Sequence, residues 1–421
     1  IMKKYLLLSL LASIACFGES ISLQKACELA VENEPSLKSY SLQVAALSED
    51  ITQAKSRFLP QIEATATYLD RKSLVNLSKK YEAEKYDSYS INLKQSIYHP
   101  EYYAGFQKSK YRFQAEKYGL EYEKQDLMTR AAEAYLNVLK AQNTVEVAKF
   151  YIESNGANFK QLEKMYELEM ADKMKYLQAK VDFENAKIEY ANQTNNLNNA
   201  IMAFKFIAGG DYVPLEINDT QKIVQNFEKI ENIENNFKIK QTNSYADAAK
   251  SEVKNALYQH FPKIDVSVSY TDFNPNNSNV TDYQNDKTIR AELKLPIYSG
   301  GAMDSYHQKT KILYSASLQD IEDAKHKETI AFNEAKMKYE AALASIKNYD
   351  EAYESAQLYL YAINQGFEKG LKSKVELEDA KSKLAEIKFK RNNNFYDYLL
   401  NYIKVLKISG NLSLDKIINY K

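Results

Sequence analysis

Proline and glycine are scarce in this chain, at 7 and 11 of 421 residues. So few chain breakers argue against a loop-rich enzyme scaffold and leave room for long uninterrupted helices. Tryptophan is absent, and there are 2 cysteines, Cys16 and Cys27. Cys16 falls in a segment expected to be removed, so Cys27 has no partner for an internal disulfide. Cys27 lies among the apolar positions of an amphipathic stretch and reads as a buried structural thiol, not a nucleophile. Neither sign of charge is in excess, with 56 Lys+Arg and 56 Asp+Glu. That argues against a basic nucleic-acid surface and against an acidic solvating tail. Beyond the N-terminal segment no apolar run reaches about 18 residues, so no transmembrane helix is expected. The histidines, His99, His260, His307 and His326, form no HExxH or other metal-ligand spacing and read as surface or junction residues. There is no phosphate-binding loop and no dinucleotide fingerprint, and Gly209-Gly210 and Gly300-Gly301 read as turns. The expectation is a protein that is not an enzyme, with no cofactor and no metal.

What is present begins with a targeting segment. Lys3 and Lys4 precede an apolar run from Tyr5 to Ala15, then the small-residue stretch Ala15-Cys16-Phe17-Gly18. This is the order of a secretory signal, expected over residues 1–18. Lipidation at Cys16 is the weaker alternative, because Ser13 stands where such signals carry an aliphatic residue. An exported chain without a membrane helix is soluble, anchored or a β-barrel.

The rest of the chain is built twice, at an offset of about 200 residues. Phe58-Leu59-Pro60-Gln61-Ile62-Glu63 matches His260-Phe261-Pro262-Lys263-Ile264-Asp265. Leu93-Lys94-Gln95-Ser96-Ile97-Tyr98 matches Leu293-Lys294-Leu295-Pro296-Ile297-Tyr298, and Ile207-Ala208-Gly209 matches Ile408-Ser409-Gly410. The first repeat is placed at 19–210 and the second at 241–410. A polar linker at 211–240 joins them, and 411–421 forms a tail. Each repeat reads as helix, strand, strand and long helical hairpin. Ile264, Val266, Val268 and Tyr270 alternate with Asp265, Ser267, Ser269 and Thr271. Ile289, Ala291, Leu293, Leu295 and Ile297 alternate with polar residues, as do Ile62, Ala64, Ala66 and Tyr68, and then Tyr89, Ile91 and Leu93. Period two over about ten residues is the pattern of a strand with one wet and one apolar face. Polar connections are expected near Arg71–Lys85 and Asn274–Asp286. Tyr68, Tyr89, Tyr98, Tyr270 and Tyr298 flank the strands as an interfacial belt would, though strand propensity alone also favours tyrosine there.

No proline interrupts Glu101 to Tyr166, which predicts roughly 100 Å of helix. Ala131, Ala134, Val138, Ala141, Val145, Ala148 and Ile152 step by three and four. Phe183, Ala186, Tyr190, Gln193, Leu197, Ala200, Phe204 and Ile207 do the same, as do Tyr349, Ala352, Ala356, Tyr359 and Ile363. These are coiled-coil seams. They predict an antiparallel hairpin in each repeat, with tips near Met170–Lys175 and Gly370–Lys374. Four membrane-length strands cannot close a barrel alone, because lipid leaves an open sheet edge unsatisfied and single-chain barrels need about eight strands. Several copies must then share one wall. The predicted fold class is an α+β membrane protein in which coiled-coil hairpins accompany a shared transmembrane β-barrel.

In this order of elements the sequence resembles the TolC-type outer-membrane efflux and secretion channel family, the outer membrane factors. The resemblance covers essentially the whole chain after the signal. It is carried by the duplicated order, Phe58-Leu59-Pro60-Gln61-Ile62, and Ala131-Ala132-Glu133-Ala134-Tyr135-Leu136-Asn137-Val138-Leu139. It is carried too by Gly366-Phe367-Glu368-Lys369-Gly370 with Val375-Glu376-Leu377-Glu378-Asp379-Ala380. It implies a homotrimer in the outer membrane of a Gram-negative bacterium, with a twelve-stranded barrel and a periplasmic helical tunnel. It implies docking to a periplasmic adaptor (membrane fusion) protein and to an inner-membrane pump or ABC exporter, with no nucleic acid. Members often close the tunnel at its tip with acidic rings and polar links. Carried over, the acidic positions fall on Glu376 and Asp379, the basic linking position on Lys372 and the aromatic one on Phe367, which lacks a hydroxyl. In the first tip Glu169 replaces the usual glycine and Lys175 a usual acid, so Lys175 and Lys372 make no acid–base link unless Asp172 substitutes. Adaptor contact would then fall on Met170, Ala171, Asp172, Lys175, Gly370, Leu371 and Ser373. For Glu376 and Asp379 the bland alternative is a solvated helix face. The functional expectation is a passive exit channel of a tripartite efflux system. A type I protein-secretion duct is the alternative within transport, and a periplasmic helical-hairpin adaptor or scaffold is the alternative of another class.

Overall fold

The computed structural model describes residues 19–75, 80–217, 232–275 and 284–417. The expected signal segment and Cys16 lie outside the described residues, as do most of the Asn274–Asp286 connection and the end of the tail.

The chain runs β1 (Glu19–Ile21), α1 (Leu23–Asn33), α2 (Pro35–Ser56), β2 (Gln61–Val75), β3 (Lys80–Tyr98), α3 (Pro100–Glu167) and α4 (Lys173–Ala208). It continues with β4 (Tyr212–Pro214), α5 (Phe237–Tyr258), β5 (Lys263–Pro275), β6 (Gln284–Lys294), α6 (Ala302–Glu368), α7 (Lys374–Ile408) and a short 3-10 turn, Leu414–Lys416. The duplication is visible in length: α3 and α6 have 68 and 67 residues, α4 and α7 have 36 and 35. Both short partners end at a left-handed glycine, Gly209 (φ 74°) and Gly410 (φ 73°). At Gly410 a Cβ would stand 2.1 Å from the Asn235 carbonyl oxygen, so no side chain fits. Prolines sit where they do least harm, Pro35 and Pro100 opening helices that need no amide there.

Two compact units divide the chain. The sheet unit takes Tyr40–Leu120 and Lys238–Lys325 and holds one antiparallel sheet of order β2-β3-β5-β6. Residues of one repeat thus pair with the other: Ile91 lies opposite Tyr270 and Leu93 opposite Val268. Strands β2 and β6 are the edges and have no outer partner among the described residues. Ile62, Leu93, Val268 and Ile289 share one row and one face, and Glu63, Asn92, Ser269 and Thr288 the other. The apolar face is bare, with Ile62 71% and Ile289 81% exposed.

The sheet departs from the expectation in three places. Residues 274–275 and 284–286, within the expected second connection, belong to β5 and β6. Arg71–Val75 and Lys80–Lys85 continue β2 and β3, where the sequence suggested a polar loop. Opposite charges sit across the pair where Asp70 faces Lys85, which favours a ladder between polar strands. Strand β6 stops at Lys294, short of Leu295–Ile297, because Pro296 has no amide to donate. A register shift between Ser96 and Tyr98 marks a bulge at the end of β3. His99 follows it, its side chain 8% exposed, stacked on Tyr102 with centroids 4.5 Å apart. Its Nδ1 lies 3.1 Å from Glu101 and its Nε2 3.2 Å from Asp265. Lys263 completes the cluster at 2.9 Å from Glu101. Burial alone would raise the Glu101 carboxyl; hydrogen bonds from Lys263, its own amide and His99 outweigh it and hold it below its ordinary value.

The hairpin unit takes Ile1–Ser39, Glu121–Phe237 and His326–Lys421. Its core is carried by α3 and α7: Leu127, Ala131, Tyr135, Leu136 and Leu139 are buried, as are Phe395, Tyr398, Leu399 and Leu406. Tyr135 hydroxyl donates to the Leu215 carbonyl at 2.6 Å, and burial pushes its pKa up. No member of the α4 seam from Phe183 to Ile207 is exposed. On α6 the expected seam residue Tyr359 is exposed instead, and Leu360 packs against Ile363, Leu377 and Ala380. The parallel pair β1–β4 was not foreseen; three residues are too few to show a period. Within the tail, the Leu412 and Leu414 carbonyls accept from Gln125 and Gln24.

Candidate functional site

The side chains singled out by the sequence lie at the two ends where α3 turns into α4 and α6 into α7. Both turns are the same Schellman motif. Met170 amide donates to the Met165 carbonyl at 2.7 Å and Glu169 amide to Tyr166 at 3.0 Å. At the second tip Leu371 donates to Gly366 at 2.8 Å and Gly370 to Phe367 at 2.9 Å. The motif needs a left-handed residue between the last helical carbonyls and the exit. Gly370 fills it at φ 70° and Glu169 at φ 59°.

The N-terminal caps differ. Asp172 opens α4 without a side-chain cap bond. Ser373 opens α7 with a full capping box: its hydroxyl accepts from the Glu376 amide at 3.1 Å, and Glu376 accepts from the Ser373 amide at 2.8 Å. Lys372 ammonium holds the other Glu376 oxygen at 2.7 Å. With these bonds the Glu376 carboxyl is held at about 2, well below its ordinary value, and the Lys372 ammonium is pushed up by the same bond. Lys372 thus pairs with an acid of its own tip. Lys175 is exposed, and so is Asp172. Phe367 has the Lys374 ammonium 6.0 Å from its ring centre. Met170 and Leu371 are largely bare, Ala171 half-exposed.

Asp379 accepts from the Ser154 hydroxyl of α3. It opens a polar ladder between α3 and α7. Ser382 donates to the Phe150 carbonyl at 3.1 Å, Lys388 grips Glu146 at 3.0 Å, and Lys140 meets Asp397 at 2.5 Å. As residue numbers fall on α3 they rise on α7, so the two helices run antiparallel and the ladder fixes their register.

Glu378 is a further buried acid of this tip. It is 4% exposed, one oxygen is bonded by Lys374 and Lys381, and the other has no partner among the described residues. Burial pushes its carboxyl up; the two ammonium groups outweigh this and hold it below its ordinary value. The signal was in the spacing, Lys374 and Lys381 at i−4 and i+3 of Glu378, just as Ser373 and Glu376 carry the spacing of a capping box. No cluster of three or more His, Cys, Asp or Glu among the described residues is arranged to hold a metal ion. No described helix is long and apolar enough to cross a membrane. The sheet presents apolar side chains on one face and polar ones on the other.

Comparison with known proteins agrees with this geometry. The outer membrane efflux protein family matches residues 26–210 and 231–411, one match per repeat. TolC of Vibrio cholerae is 26% identical over 98% of this chain and 96% of its own length. The alkaline protease secretion protein AprF of Pseudomonas aeruginosa is 20% identical, covering 93% of this chain and 85% of its own. Among solved structures, CusC superposes with a TM-score of 0.77 at 14% identity, covering 96% of this chain and 95% of that one. The Campylobacter jejuni CmeC outer membrane channel superposes with 0.72 at 17% identity, over 92% and 85%. A duplicated pair of hairpins, a two-faced open sheet and a family match across both repeats lead to one assignment: the chain belongs to the outer membrane efflux protein family and is an outer-membrane channel protomer with long periplasmic helices.

Proposed function

We propose that three copies of this chain form a passive exit duct, to which a periplasmic adaptor delivers small molecules from an inner-membrane pump. The observation that carries the reading is the sheet: four strands, one apolar and one polar face, and two edges without partners among the described residues. In lipid each bare edge costs several kcal/mol per unsatisfied group, so β6 of one copy must meet β2 of the next. The helices support the same assembly. Met174, Leu177, Val181, Ile188, Met202 and Phe206 form a bare apolar stripe on α4, and Ile330, Met337 and Leu358 another on α6. A second copy of the chain would cover both. The reading assigns the chain no catalytic step.

The tips are the docking and gating elements in this reading. Met170, Ala171 and Leu371 offer the apolar contact, with Asp172, Lys175, Gly370 and Ser373 around them. Because Lys372 neutralises Glu376 locally, Asp379 is the acid that would set the field at the axis of closed copies. Lys372 and Phe367 would shape the constriction. Repeated carboxylates there attract cations and repel anions.

Planar-bilayer recording of the purified chain, with its mass in detergent, tests the reading. Discrete conductance steps and a trimer mass are expected; a water-soluble monomer without a heat-modifiable form would favour the adaptor or scaffold alternative. Asp379→Ala should reduce cation preference more than Glu376→Ala, and unchanged selectivity in the double variant would count against the gate. A protein-secretion duct is the second reading, favoured by the likeness to a protein named for protease secretion. An ATP-driven partner exporter recovered with the channel would support it.

A further inference from the structure

The polar face of the sheet is interrupted over two adjacent rows, Leu69 with Tyr86 in one and Phe273, opposite Ser88, in the next. On β2 it runs Gln61, Glu63, Thr65, Thr67; on β3 Lys94, Asn92, Ser90, Ser88; on β5 Asp265, Ser267, Ser269, Thr271. The next residue outward on each of these strands is apolar: Leu69, Tyr86 and Phe273. Leu69 lies directly opposite Tyr86, and the rings of Tyr86 and Phe273 are 4.7 Å apart. All three are half-buried.

The other face changes in the opposite sense at the same positions. Its apolar run ends on Tyr68, Tyr89 and Tyr270, and the next residue outward on each strand is Asp70, Asp87 and Asp272. Tyrosine followed by aspartate on three strands marks where hydrocarbon gives way to water, since rings favour that boundary and a carboxylate is expelled past it. Leu69, Tyr86 and Phe273 stand beyond the ring boundary and on the face turned from lipid, so lipid does not explain them. Strand propensity does not explain them either, because it would scatter aromatic residues along the polar face instead of confining them to two adjacent rows.

We propose that Leu69, Tyr86 and Phe273 form an apolar collar inside the outer mouth of the pore, one arc from each copy. The collar favours passage of cargo with apolar or aromatic surface, including organic cations, over small hydrated ions. An apolar constriction holds water poorly and raises the barrier for a hydrated ion. Exposed ring faces bind an organic cation or a flat apolar molecule. The inference rests on the channel reading above, and it adds a selectivity element at the exit distinct from the hairpin tips.

The test is single-channel recording of the purified full chain with tetraphenylphosphonium, and with tetramethylammonium as the small control. Wild-type pores should be blocked by tetraphenylphosphonium far more strongly than by tetramethylammonium. In Tyr86→Ser with Phe273→Ser that block should weaken about tenfold, as two ring contacts are lost, and open conductance should rise. Tyr86→Phe and Phe273→Tyr, which keep the rings, should keep the block. Unchanged block and conductance in the double serine variant overturn the collar. Should that variant not insert, Phe273→Cys serves instead: a water-soluble thiosulfonate must reduce the current stepwise, and an inert cysteine there also overturns it. Failure of the wild-type chain to form pores at all would instead overturn the channel reading, and the collar with it.

Discussion

Glu169 and Gly370 hold the same backbone conformation at the two hairpin tips, one with a Cβ and one without. The left-handed region costs a residue bearing a Cβ on the order of 1 kcal/mol. No atom lies within 4 Å of a Cβ built on Gly370, so the penalty there is purely one of backbone conformation. Glu169→Gly should therefore stabilise the first tip by about 1 kcal/mol and Gly370→Ala destabilise the second by a similar amount. Amide exchange at residues 168–172 and 369–373 measures both, and equal protection in the variants and the parent would show the turns are held by something else. Cys27 makes a second residue-scale case. It is buried, its thiol donates to the Met128 carbonyl at 3.4 Å, and burial pushes its pKa up to about 12. A neutral buried thiol is a poor nucleophile. Iodoacetamide at pH 8 should leave Cys27 unmodified in the folded protein and alkylate it in guanidinium; labelling at equal rates would refute the burial.

At the scale of elements the second tip is the better built, and its construction carries a pH signature. Glu376 is held at about 2, against an ordinary 4.5, by Lys372 and the Ser373 cap. A carboxyl depressed in the folded state stabilises the fold above its unfolded value, and that contribution fades as pH falls through the folded one. Protection of amides 372–377 should therefore drop between about pH 4.5 and pH 2, and Glu376→Gln should remove that pH dependence while lowering protection at neutral pH. A titration that survives the substitution would place its origin elsewhere. Helices were legible in the sequence because α3 and α6 lack proline and keep a sustained three-four rhythm that shorter elements cannot show. Their seams were read to within one residue: Tyr359 was chosen where Leu360 packs, since an aromatic residue and a leucine side by side satisfy the same spacing. The outer parts of β2 and β3 were misread as a loop because charged residues paired across strands carry no apolar period. The lysine spacing around Glu378 is legible in the sequence, but its burial depends on neighbouring helices, which spacing along one helix does not reveal.

For the whole molecule, duplication supplies two half-sheets that pair through β3 and β5 and still leave both edges open. The family match over each repeat and the two-faced sheet together predict that the apolar face meets lipid. The apolar face carries Ala64, Ala66 and Ile91, and the polar face carries Thr65, Thr67 and Ser90. Adjacent positions on one strand thus provide a direct reading of which face is wet. Ala66→Lys puts an ammonium into hydrocarbon and should cost about 2–4 kcal/mol if Ala66 lies near the bilayer midplane, falling towards zero nearer the interface. Thr67→Lys, one residue on, points to the enclosed face and should cost almost nothing, because water hydrates the charge there. Folding into lipid vesicles, followed by the heat-sensitive mobility of the assembled form, compares the two. The predicted outcome is a lowered yield or melting point for Ala66→Lys alone. Equal tolerance of both would mean that the sheet does not form a membrane wall, and a penalty on Thr67→Lys alone would mean that its faces are reversed. The first result would also remove the basis for joining β6 of one copy to β2 of the next, since only hydrocarbon makes those open edges intolerable.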